Sequence, residues 1–323
     1  MGNSLTQPVI SGVRYFLAHT PNLVRYGSKP FREISKDPSV NDQITAHLRT
    51  YSDASSYPPN QAFLGSLYPD DLWNIERPWF QVDGKAQRSH PHGEIMPEEE
   101  LYGILKISDS FDLVWLEEDF TRKIRKILEK HPFIHRADLE KLGHGQPYSA
   151  IEAQVTGEGK SLPLFLNKER MVGCINRAHE QDPALSPSVL LENLVCKSTA
   201  TMALRTLLSD LEIDPSSVEY VVNCGEEAVG ERYQRGGGNL AKAIGEMCWL
   251  SNSTGSDVKA FCCAPTHALL MAGSLISSGV FKKVIVVGGC SLAKLGMKFQ
   301  GHMNNHQPIL EDVLAAVAIN VEA

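Results

Sequence analysis

From about residue 186 onward the apolar positions fall into a regular order. Ser186 followed by Pro187 reads as an N-cap with proline at the first helical position. Leu190, Leu194, Leu204, Leu207, Leu208 and Leu211 then keep largely helical spacing until Asp214-Pro215. Residues 218–222 form a continuous β-rich run, a loop passes through Gly236-Gly237-Gly238, and residues 239–250 return to a helical pattern. A strand is predicted over 258–261, then a helix over 264–278 that stops at Gly279, where glycine adopts the left-handed C-terminal conformation at no steric cost. Residues 283–287 are apolar throughout, the mark of a strand buried on both faces. The order α, β, α, β, α, β with apolar strands predicts an α/β fold, a mostly parallel sheet with helices on both faces.

The earlier part of the chain is less patterned. A strand is predicted over residues 8–18, helices over 97–106 and 111–130, and short strands over 151–155 and 162–166. Residues 52–93 are rich in proline, aromatic and polar residues, and the Trp and Tyr side chains between Tyr51 and Trp79 suit either a docking surface or a small local core. These patterns divide the chain into an opening strand region (1–29), an additional region of unclear fold (30–185) and a regular α/β region (186–323). Residues 311–323 turn into an apolar strand and stop. Placed at a sheet edge, such a strand invites pairing with another chain, and it suggests either a truncated product or an obligate partner, with an oligomer expected.

Composition narrows the function classes. In 323 residues, 42% are hydrophobic and 21% charged, with a formal net charge of -7, so a nucleic-acid or anionic-membrane footprint is not expected. The cluster Arg122-Lys123-Ile124-Arg125-Lys126 alternates with acids around it and reads as a solvated helix face. No segment has the order of a signal peptide or the length of a membrane span, which predicts a cytoplasmic protein; the loose myristoylation pattern of the first six residues is treated as chance. All seven cysteines follow residue 173, in odd number and without the paired spacings of a zinc site, which predicts reduced thiols. The i,i+4 pairs His302/His306 and His131/His135 lack a convincing third ligand, and no metal or cofactor is expected.

Candidate chemistry centres on Cys262. The run Asp257-Val258-Lys259-Ala260-Phe261-Cys262-Cys263-Ala264-Pro265 reads as a strand that delivers a cysteine to the start of an apolar helix. Helix N-terminal N–H groups and the aligned peptide dipoles favour a thiolate. The competing reading is a packed core cysteine. His267, one helical turn beyond Cys263, has the spacing of a local base, or is a hydrogen-bonded structural residue. Gly236-Gly237-Gly238 beside Arg235 could present N–H groups to a phosphate, though a turn or close packing is the simpler use.

Residues 188–321 resemble the first half of thiolase-like enzymes, closest to the β-ketoacyl-acyl-carrier-protein synthase III branch. The carrying pattern is Asp257-Val258-x-Ala260-x-Cys262, then Leu275-Ile276-x-Ser278-Gly279, then Val284-Ile285-Val286-Val287-Gly288-Gly289. The resemblance implies a thiolase-like layered α/β sandwich, present as its first half with an N-terminal insertion, and Cys262 as an acyl-accepting nucleophile. It also makes Glu226, in the loop after residues 218–222, a candidate acid or base. A narrower resemblance spans nearly the whole chain. Pro8-Val9-Ile10-x-Gly12 with His19-Thr20-Pro21, Gly93-Glu94-Ile95-Met96-Pro97-Glu98, Gln234-Arg235-Gly236-Gly237-Gly238-Asn239 and Ala293-Lys294-Leu295-Gly296-Met297 are similar to the β subunit of component C of glycine, sarcosine and betaine reductases. This implies a subunit of an acyl-transferring component that helps release a two-carbon unit as acetyl phosphate through a cysteine thioester. The implied partners are a phosphate-acyltransferase-like α subunit and a selenoprotein component carrying a carboxymethyl group. Two alternatives stay open: a condensing synthase acting on acyl-CoA or an acyl carrier protein, and a non-catalytic scaffold that docks the partner subunit.

Overall fold

The computed structural model describes residues 6–56, 73–74, 85–90, 92–157, 160–167, 169–179, 182, 185–226 and 239–323. Along them run β1 (Val9–His19), α1 (Ser28–Lys36), α2 (Ser39–Ala46), α3 (Tyr51–Ser56), β2 (Ser89–His90), β3 (Gly93–Pro97), α4 (Glu98–Ser108), β4 (Val114–Leu116) and α5 (Glu118–Leu128). Next come α6 (Arg136–Lys141), α7 (Tyr148–Thr156), β5 (Leu162–Leu166), β6 (Arg170–Ile175) and α8 (Pro187–Asp210). The chain continues through β7 (Tyr220–Asn223), α9 (Leu240–Met247), β8 (Thr254–Asp257), α10 (Ala264–Ser277), β9 (Lys283–Gly288), α11 (Phe299–Asn304) and β10 (Val313–Glu322). The Gly236-Gly237-Gly238 loop and most of the aromatic stretch before Trp79 lie outside the described residues.

The main sheet has the order β2-β3-β1-β10-β9-β7-β8, and β4-β6-β5 form a smaller one. Alternation along β9 explains the layers. Val284 and Val286 pack with Val222 and Val321 against Ala264, Ala268, Ala272 and Ile276 of α10, whose four-residue spacing makes one helical stripe. Ile285 and Val287 point the other way, into the large core shared with α8 and α9. All four β9 residues are fully buried, and burying each contributes about 1.5–3 kcal/mol relative to exposure. Helix α8 is buried nearly all round, which explains why its leucines obey the helical period without leaving a polar face. Its two cations are matched: Lys197 donates to the Ser108 carbonyl at 2.7 Å, and Arg205 pairs with Asp138 at 2.6 Å.

The layered α/β architecture expected of the second half is present, and along the whole chain five expectations are corrected. The sheet is mixed: β7 runs parallel to β8 and β9, whereas β10 is antiparallel to both β9 and β1. The terminal strand is central rather than an edge strand, which is why it is apolar. The strand predicted over 258–261 lies four residues earlier. Thr254-Gly255-Ser256-Asp257 is polar because β8 is the edge strand, and its register is fixed by pairing with Tyr220–Asn223. Residues 151–155, predicted as a strand, belong to α7: Ile151 and Val155 are one turn apart and pack with Met171 and Cys174. Within the predicted helix 111–130, β4 precedes a helix that begins only at Glu118, where the Glu117 carboxylate accepts the N–H groups of Asp119 and Phe120. In that helix Ile124 is fully buried while Arg122 and Lys123 pair with Asp119 and Glu99 on the exposed side. Among the described residues no helix is long and apolar enough to cross a membrane.

Candidate functional site

Parallel strands collect loops at their carboxyl ends, and such crevices are where open α/β sheets bind ligands. Here β7, β8 and β9 end at Asn223, Asp257 and Gly288, and their following loops enclose a cavity of about 590 Å³. Gly225 and Glu226 come from the first loop, Lys259, Ala260 and Phe261 from the second, Ser291 to Lys294 from the third. The first turn of α8 and Tyr26 close the remaining sides.

Two carboxylates face this space. Glu192 accepts hydrogen bonds from the Ser291 hydroxyl and the Ala293 N–H, both at 2.9 Å, and burial pushes its carboxyl above the usual range against those bonds. Glu226 pairs with Lys294 at 3.4 Å. Lys259 donates to the Gly225 carbonyl at 3.2 Å, and burial lowers its pKa.

The seven thiols are all free and divide into two classes. Cys174, Cys196, Cys224, Cys248 and Cys290 are buried, and burial pushes each upward: Cys224 to about 11, Cys174, Cys248 and Cys290 to about 12, and Cys196 well above its ordinary value. Such thiols are protonated and inert near neutrality. Only Cys262 and Cys263 are exposed. They occupy a tight turn (Phe261–Cys263) entered through Phe261 at a positive φ of 49°, and Cys263 is the N-cap of the fourteen-residue α10. Pro265 in the first turn removes one N–H but leaves the helix intact.

The predicted residues are thus only partly gathered. Glu226 lines the cavity, and so do Phe261 and Ala264 on either side of the cysteine pair, whereas Cys262 itself stands outside the lining. His267 is exposed in the first turn of α10, and among the described residues no side-chain hydrogen bond joins it to Cys262, Cys263 or Glu226. Glu192 and Lys259 escaped the sequence reading. A single acid at position 192 among Leu190, Leu191, Leu194 and Val195 was the available signal for the first. Of the histidine pairs, His131 is bonded to Glu94 at 2.8 Å, His135 packs edge-on to Trp249, and His302 is buried near Glu311. Among the described residues no group of three His, Cys, Asp or Glu side chains is arranged to hold a metal.

No protein-family model matches the chain. Solved structures with partial likeness include a priming β-ketosynthase of a polyketide biosynthetic pathway (22% identity, 39% of this chain and 35% of that one, TM-score 0.29). A variant of OleA from Xanthomonas campestris gives 16% identity over 39% of each chain with a TM-score of 0.30. β-Ketoacyl-[acyl carrier protein] synthase III of Thermus thermophilus gives 19% over 40% of this chain and 37% of that one, TM-score 0.31. In sequence the relation is closer: 39% identity over 320 residues, 97% of this chain, with the glycine/sarcosine/betaine reductase complex component C subunit beta of Peptoclostridium acidaminophilum. The chain spans 62% of that protein's length. Along almost all of its own length, this chain is therefore a homologue of the β subunit of component C.

Proposed function

We propose that the chain serves in an acyl-transferring component of an amino-acid reductase complex, in the cytoplasm, with Cys262 carrying a two-carbon acyl group as a thioester. The carrying observation is the sorting of the thiols: of seven, only Cys262 and Cys263 are exposed, and they sit beside a helix N-terminus, between Phe261 and Ala264 that line a cavity to which β7, β8 and β9 all contribute loops. The Cys262 thiolate attacks the acyl carbonyl carbon, and backbone N–H groups at the start of α10 stabilise the developing oxyanion. Transfer onward to phosphate forms a C–O bond, breaks the C–S bond and returns the electron pair to sulfur, giving acetyl phosphate. Glu226, which lines the cavity, is the acid or base better supported by position than His267, which stands outside that lining. The relative's name supports an α subunit as partner within a reductase complex; in the proposed reaction that subunit is phosphate-acyltransferase-like and a selenoprotein component carrying a carboxymethyl group is the donor.

The test is peptide mass spectrometry after exposure to acetyl phosphate, with and without the α subunit, which runs the last transfer backwards. Acetyl on Cys262, absent in Cys262→Ser, is the expected result. Acetyl confined to the α subunit would replace this reading with a docking role, for which the absence of a hydrogen-bonded base beside Cys262 among the described residues is the favouring observation.

A further inference from the structure

A second cavity, of about 670 Å³, lies away from the cysteine turn. The two flank opposite ends of α8, one reaching Glu192 and the other Thr206, fourteen residues apart and so about 21 Å along the helix axis at 1.5 Å per residue. Its walls come from the β2–β3 hairpin, the end of α5 with the following turn, and the last turns of α8.

Charge accounting shows what the cavity lacks. Each of its carboxylates already has a cation. Arg88 is bidentate to Glu100, with both bonds at 2.7 Å, and donates to Glu94 at 2.9 Å. Glu94 also accepts from His131 Nε2 at 2.8 Å; since the Phe133 N–H donates to Nδ1, the neutral ring carries its proton on Nε2. Asp210 accepts from Arg14 at 2.6 Å. Three groups are left over. Lys126, in the last turn of α5, and Lys130, in the turn that follows it, make no ion pair or side-chain hydrogen bond among the described residues. His90 has both ring nitrogens shielded from solvent without a hydrogen bond, although the Gln87 backbone lies close enough to act on the ring. Ring nitrogens shielded from water without a partner are costly, and native structures rarely leave them so without a reason. Ile127, Pro132 and Phe133 supply an apolar wall.

We propose that this cavity binds a small organic anion, a carboxylate or phosphate ester. Its charge lies between Lys126 and Lys130, its polar body reaches His90 and its apolar part rests on Ile127 and Phe133. The site stands independently of the acyl-transfer reading, since it shares no residue with the cysteine turn. Isothermal titration of the full chain with inorganic phosphate and, separately, with citrate tests it, the two arms separating phosphate from carboxylate preference. Saturable one-site binding of at least one probe is expected. It should weaken at least tenfold in Lys126→Gln/Lys130→Gln, whose exposed changes leave the fold intact, and persist unchanged in Lys294→Gln, a change at the cysteine-side cavity that leaves the lining of this one as it is. Absence of saturable binding, binding indifferent to the double substitution, or binding lost in Lys294→Gln would each overturn the proposal.

Discussion

Glu98 opens α4, yet its carboxylate is buried beneath the turn Pro21–Tyr26. It accepts the N–H groups of Asn22 at 3.2 Å and Leu23 at 3.0 Å and the Asn22 amide at 2.6 Å. Burial outweighs these bonds and pushes its pKa up to about 7. The sign follows directly. Between about pH 4.5 and 7 the folded state holds a proton that the unfolded chain releases, so stability is greatest below that window and falls as pH rises through it. A shift from 4.5 to about 7 corresponds to about 3 kcal/mol. Glu98→Gln should flatten that decline. Urea unfolding of both proteins at pH 5 and pH 7 checks it, and equal slopes would show that Glu98 titrates normally. The same turn carries Tyr26 to the wall of the cysteine-side cavity.

Strand β8 shows why some elements were legible from the residues and others were not. Helix α10 announced itself through its apolar run and Gly279, which takes a φ of 74°, and β9 through four successive branched residues, because burial of a helix face or of both faces of a strand leaves its mark in the order of apolar residues. Thr254–Asp257 leaves none: it is held by pairing with β7 and by what Asp257 does at its end. That carboxylate accepts the N–H groups of Leu240 and Ala241 at 3.0 and 2.9 Å and the Asn223 amide at 3.2 Å, fastening the start of α9 to two strand ends. Asp257→Ala leaves those N–H groups without their acceptor and is expected to cost about 1–2 kcal/mol in urea unfolding. A loss below a few tenths would mean that water replaces the carboxylate. The site follows the same logic. Cys262 was visible because it adjoins a patterned helix, whereas Glu192 and Lys259 become neighbours only when loops from distant parts of the chain meet at the sheet, and spacing along the sequence carries no record of that meeting.

The sheet as a whole is closed by the two ends of the chain. Strand β10 pairs with β1 from Val9↔Glu322 to His19↔Val313 and with β9 from Val317↔Gly288 to Glu322↔Lys283. The first pairing joins residues about 300 positions apart, a loop-closure cost that must be met before the contacts reward it. At the β1 end the closure is reinforced by Asp312, fully buried, which accepts from Arg49 Nε at 3.1 Å and lies 3.3 Å from His19 Nε2. Without β10, the backbone donors and acceptors of β1 and β9 that face it lose their partners, and the apolar sides of Leu314, Ala316 and Ala318 are removed from the main core. Deleting residues 313–323 should therefore abolish cooperative unfolding rather than trim a dispensable edge, with the shortened chain eluting as aggregates and showing no sigmoidal urea transition. A monomeric deletion variant with a native circular dichroism spectrum and a sharp transition would show instead that β1 and β9 pair directly, and that the order of strands across the sheet is not dictated by this closure.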